Sequence, residues 1–171
     1  MKNLFKLKTA RLFLPLIIAF FSAKTSYATH GLGSDIVAQC IGPNQYKLIL
    51  TVYRDCNGTS LNNNQDIDYF SACAGLSGSI PATKLSVTNI TQVCPTGQSS
   101  CNGGTGTFGV EKHIFEATIN LPASVTCDVR FSWSLCCRNL ALTNIANPNS
   151  ENVYTETIID NSVAPCNNSP E

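Results

Sequence analysis

Charge is scarce in this sequence: Asp, Glu, Lys and Arg make up 13% of its 171 residues, and His30 and His113 are its only histidines. The basic residues are also unevenly placed. Lys2, Lys6, Lys8, Arg11 and Lys24 precede residue 29, whereas every acid follows it. The remainder carries Lys47, Arg54, Lys84, Lys112, Arg130 and Arg138 against 11 acids, a net charge of about −5. A protein that grips a phosphate backbone needs clustered Lys and Arg, so this scatter speaks against a nucleic-acid partner. C-x-x-C knuckles are missing, which removes zinc fingers and ribbons. No window sustains a helical period with caps, and no apolar run beyond Phe21 approaches the roughly 20 residues needed to span a bilayer as a helix.

What is present begins with a targeting pattern. A basic segment, Lys2 to Arg11, precedes an apolar run from Leu12 to Phe21, and small residues stand at Ser26 and Ala28. Residues 1–28 therefore read as a cleaved secretory signal peptide, cut between Ala28 and Thr29, with the mature protein secreted or at the cell surface. An uncleaved amphipathic anchor is the competing reading, and it would leave the A-x-A-like end without a purpose.

All nine cysteines follow the cut: Cys40, Cys56, Cys73, Cys94, Cys101, Cys127, Cys136, Cys137 and Cys166. In an oxidising compartment such thiols pair, and an odd number leaves at least one free, buried or joined to another molecule. Spacing does not choose among the pairings. Strand alternation does predict that Cys137 points inward with Trp133 while Cys136 points outward, so the two neighbours are expected to serve different bridges.

Two segments alternate clearly. Tyr46, Leu48, Leu50 and Val52 share one face of 46–56, and Val129, Phe131, Trp133 and Leu135 share one face of 127–137. Weaker strand signals cover 36–40, 67–70, 85–93, 110–121 and 153–159, separated by Gly, Pro and Asn clusters. Short strands punctuated in this way predict an all-β fold, an antiparallel immunoglobulin-like β-sandwich stapled by disulfides. The expected division is a signal peptide (1–28), a sandwich domain (29–160) and a linker or truncated domain edge (161–171). Residues 95–107 read as a long loop whose motion a bridge limits, with Cys94 at its head and Cys101 inside it.

Candidate chemistry is thin. A cysteine hydrolase would need a thiolate beside an imidazole, and His113 with Cys136 or Cys137 could supply one only if those thiols stayed unpaired. Gly75-Leu-Ser-Gly-Ser half resembles a nucleophile elbow but lacks the final glycine and the following helix. Asp66 with Asp68, or Glu111 with Glu116, could be offered as paired acids, and each reads better as a solvated strand face. His30 near a new amino terminus could touch copper, and Asp66-Ile-Asp68 calcium, but both ligand sets are incomplete. No enzyme activity, metal or cofactor is expected. Asn57, Asn89 and Asn167 open N-x-S/T tripeptides, a surface signal. Four aromatics, Tyr53, Tyr69, Phe70 and Tyr154, are candidates for contact with a glycan, whereas Trp133 belongs to a strand face that reads as buried.

His30, the stretch DIVAQCIGPNQYKLILTVYRDCNGT (35–59), FSWSLCCRNLALTNI (131–145) and APCNNSP (164–170) together resemble the N-terminal module of large gliding-motility-associated, adhesin-like cell-surface proteins of gliding bacteria. The likeness spans nearly all of the chain beyond residue 28. It implies a structural module followed, in the family, by immunoglobulin-like or PKD-like repeats and a sorting domain for type IX secretion. It carries over no catalytic residue. The sequence departs from the family's pattern at Gly31-Leu-Gly-Ser-Asp, and it stops at Glu171, which leaves a truncated member, a fragment and a stand-alone version open. The expected function is a non-enzymatic structural or adhesive module with an unknown protein or glycan partner. A secreted glycan-binding module is the alternative.

Overall fold

The computed structural model describes residues 31–92, 97–103, 108–139, 142–162 and 166–169. The predicted signal segment, His30 and Cys94 lie outside the described residues. The described residues form seven strands: β1 (Gly31–Gly42), β2 (Gln45–Asp55), β3 (Asn64–Ser71), β4 (Leu76–Asn89), β5 (Val110–Asn120), β6 (Asp128–Cys136) and β7 (Asn152–Asp160).

Period-2 patterning accounts for what each strand buries. Tyr46, Leu48, Leu50 and Val52 of β2 are fully buried, and they face Ile119, Ala117, Phe115 and His113 across the β2–β5 ladder. Val129, Phe131 and Trp133 line the opposite wall from β6. Each large apolar side chain removed from water in this way contributes about 1.5–3 kcal/mol. Two aromatic polar tips in the core are satisfied: the Trp133 indole donates to Gln65 at 3.2 Å, and the Tyr46 hydroxyl to Asn161 at 2.6 Å.

All pairings between these strands are antiparallel, in the order β1-β2-β5-β4-β3-β6-β7. Strand β4 belongs to both layers. Its first half, Leu76 to Thr83, pairs with β3; from Thr83 onward it pairs with β5, with a register shift between Lys84 and Ser86. One layer is thus β1-β2-β5-β4 and the other β4-β3-β6-β7, the A-B-E-D and C-F-G order of an immunoglobulin-like sandwich. On the far side β1 meets the other layer through the turn after β6, where the Gly31 amide donates to Cys137 and the Asn139 amide to Gly31.

The described cysteines pair as Cys40–Cys166, Cys56–Cys101, Cys73–Cys127 and Cys136–Cys137. The last pair overturns the expectation that the two neighbours serve different bridges. Alternation holds only while the chain is a strand, and β6 ends at Cys136. Beyond it, residues 137–139 turn to bond Gly31 and Glu151, so the parity argument does not reach Cys137. The loop after β4 is tied as expected, although Cys101 reaches Cys56 on the far side of it.

Sequence patterning placed β4 at 85–93, whereas the strand runs from Leu76 to Asn89. Its first half has little apolar content and contains Gly78 and Pro81, so it carries no alternation signal. Gly78 is required by a close approach: a Cβ there would overlap the ring of Tyr69 on β3. The described tail residues lie along β1. The Ser169 amide donates to the Ala38 carbonyl, the Ala38 amide to Ser169 Oγ and the Cys40 amide to Asn168 Oδ1, which covers part of an otherwise open sheet edge.

Candidate functional surface

The buried chemistry gathers at one end of the interior. Arg54 on β2 stands opposite Glu111 on β5, on the same inward face as Val52 and His113. Arg54 Nη2 donates to Glu111 Oε2 at 2.7 Å and its Nη1 to the Gly58 carbonyl at 2.5 Å, while His113 Nε2 lies 3.0 Å from the same carboxylate oxygen. Lys84 donates to the Leu61 carbonyl at 2.7 Å and lies over the Phe115 ring. Burial would raise the Glu111 pKa, but hydrogen bonds from Arg54 and His113 outweigh it and hold the carboxyl below its usual range. Burial depresses His113, with Glu111 only partly offsetting it, so the ring is neutral at pH 7 and donates through Nε2–H. His113 Nδ1 then has no partner, a cost smaller for a neutral ring than for an imidazolium.

One expectation is corrected here. Glu111 joins an ionic cluster with Arg54 and the buried His113 where a solvated face was expected. Alternation along β5 puts Glu111, His113 and Phe115 on one side, so the parity that marks the core already contained this outcome. The sulfurs of Cys56 and Cys101 lie within 4.8 Å of each other and of a Glu111 oxygen, a grouping that could hold a metal if the thiols were free. They are bonded to each other, and the Arg54 guanidinium holds the carboxylate. Cys136 and Cys137 are likewise joined, so neither presents a thiolate to His113.

The four aromatics proposed as ligand contacts do not form one patch. Tyr53 is half-buried on the outer face of the β1-β2-β5 layer, beside Lys112. Tyr69 turns inward over Gly78 and packs against the core. Only Phe70, 54% exposed, and Tyr154, 53% exposed, share a surface, the outer face of β3-β6-β7. Adjacent strand residues point to opposite faces, so Tyr69 and Phe70 could have been separated by parity alone.

That outer face is laid out by the ladders. Phe70, Arg130 and Ile158 form one row, and Asp68, Ser132 and Glu156 the next. Arg130 pairs with Glu156 at 3.3 Å, and the Tyr154 hydroxyl donates to Glu156 at 2.5 Å, an anionic neighbour that raises the phenol pKa. Asp128 and Asp160 stand directly opposite each other; the Ser162 hydroxyl and amide bond Asp160 and keep its pKa below the usual value. Sequence reasoning singled out neither Arg130 nor Ile158. The signal was the alternation of Tyr154, Glu156 and Ile158 against buried Val153, Thr157 and Ile159.

Comparison with protein-family models, curated proteins and solved structures found no match for this chain.

Proposed function

We propose that this chain is a non-enzymatic, exported module with a structural or adhesive role at the cell surface, in keeping with its resemblance to the gliding-motility-associated surface proteins. The observation that carries this reading is the pairing of eight cysteines within one immunoglobulin-like sandwich. Paired thiols suit an oxidising compartment, and a sandwich filled by its own side chains offers its faces for contact. A second reading, a secreted glycan-binding module, draws on Phe70 and Tyr154 sharing one exposed face.

Fractionation with intact-mass measurement tests the first reading. The chain should begin at Thr29, occur outside the cytoplasm, and weigh eight hydrogens less than its reduced form. Cells lacking it should spread or adhere less. Retention in the cytoplasm with titratable thiols would sink the proposal. A glycan array addresses the second reading: specific binding that Phe70→Ser and Tyr154→Ser abolish would favour it.

A further inference from the structure

The outer face of β3-β6-β7 combines two properties. It exposes large apolar side chains, with Phe70 and Tyr154 joined by Ile158 at 43% exposure. It also gathers carboxylates that nothing neutralises: Asp66, Asp68 and Asp128 have no ion-pair partner among the described residues, and the one cation, Arg130, is taken by Glu156. Like charges directly opposite across a ladder are unfavourable, and Asp128 and Asp160 are placed in that way.

Two depressions flank Ile158. One, of about 190 Å³, is lined by Phe70, Asp128, Arg130 and Ile158 among others. The second, of about 430 Å³, lies where β1 approaches β7 and is lined by Asp35, Ile36, Glu156, Thr157 and Ile158. Asp35 also lacks an ion-pair partner among the described residues. Each depression thus joins an apolar wall to a carboxylate without an ion-pair partner among the described residues: Asp128 in the first, beside the Glu156-paired Arg130, and Asp35 in the second, beside Glu156. That combination matches a Lys or Arg side chain, whose methylene stem lies along apolar surface while its charged head meets a carboxylate. Phe70 adds an aromatic ring that a cation can approach. A second copy of the same face would bring acid against acid, and a neutral glycan could hydrogen-bond the carboxylates but would leave their charge uncompensated.

We infer that this face docks an extended, basic segment of a partner protein, seating Lys or Arg side chains in the two depressions beside Ile158. The inference rests on the reading of the chain as an interaction module and names its partner's chemistry.

The test uses the oxidised protein from Thr29 onward and a short fluorescein-labelled peptide in which lysine alternates with threonine and leucine, read by fluorescence anisotropy. Binding should weaken as salt rises through 0.15 M, where exposed charges more than about 8 Å apart are largely screened. Asp35→Asn with Glu156→Gln, and separately Phe70→Ser with Ile158→Ser, should each weaken it by about tenfold or more. Tyr53→Ser with Glu116→Gln, on the other layer, should leave it unchanged. Because all the substituted side chains are partly or fully exposed, far-UV circular dichroism should match wild type and confirm the fold. Absence of peptide binding, or equal loss from both layers, overturns the inference. A neutral oligosaccharide that binds wild type and not the Phe70→Ser variant, while the peptide does not bind, assigns the face to glycans and overturns it as well. Correct export with failed peptide binding sinks this inference alone; cytoplasmic retention sinks the functional reading beneath it.

Discussion

Arg54 and Arg130 each meet a glutamate on the neighbouring antiparallel strand, and the two pairs live in opposite surroundings. Arg54 and Glu111 lie 2.7 Å apart with side chains 5% and 20% exposed; Arg130 and Glu156 lie 3.3 Å apart at 51% and 37%. At the buried end, water has been replaced by His113, the Gly58 carbonyl and the Cys56–Cys101 bridge, so each charge depends on its fixed partners. On the outer face, water can solvate whatever the pair leaves unsatisfied. The same two residue types therefore act as a structural element in one place and as an adjustable surface in the other.

The largest break in this comparison should come from Arg54→Met. It strands Glu111 in the interior and should cost about 3–5 kcal/mol in urea unfolding. Adding Glu111→Leu should restore much of that loss, since a buried pair is often replaceable by well-packed apolar groups. A double variant no more stable than Arg54→Met would show that the pair contributes beyond mutual compensation. Next in size, Cys56→Ser with Cys101→Ser opens a bridge spanning 45 residues beside the buried pair and should cost about 2–4 kcal/mol, read as a lower melting temperature.

Lowering the pH should produce a smaller effect in two stages. The folded pKa of His113 lies below its ordinary 6.5, so the unfolded chain binds the proton first; its contribution is complete above 6.5 and falls as pH drops from there toward the folded value. Glu111 is likewise depressed below 4.5, and its contribution is lost as pH falls through its folded pKa. Urea midpoints measured across this range should lose the first stage in His113→Gln and the second in Glu111→Gln. The smallest change belongs to Arg130→Ala, below about 1 kcal/mol and diminished by salt. A loss as large as that of Arg54→Met would erase the distinction between the two pairs.

Much of this architecture was legible in the residues. The alternation in β2 and β6 located the core walls and the burial of Trp133, because a half-buried strand must separate apolar from polar positions. Strand β4 was half hidden, since Gly78 and Pro81 are held there by ladder hydrogen bonds and by the Tyr69 ring, neither of which leaves a periodic trace. The candidate site was less legible. Aromatics were chosen by residue type, and type does not say that Tyr69 packs inward while Phe70, one residue on, faces solvent.

Local composition by itself settled the all-β class and the segments that alternate, because those depend on neighbours one or two residues apart. Tertiary structure alone decided which cysteines meet, that β4 passes from one layer to the other, and that Asp35 on the first strand comes beside Glu156 on the last. Those outcomes depend on which distant segments are brought within a few ångströms, and strand spacing along the chain carries no record of that choice.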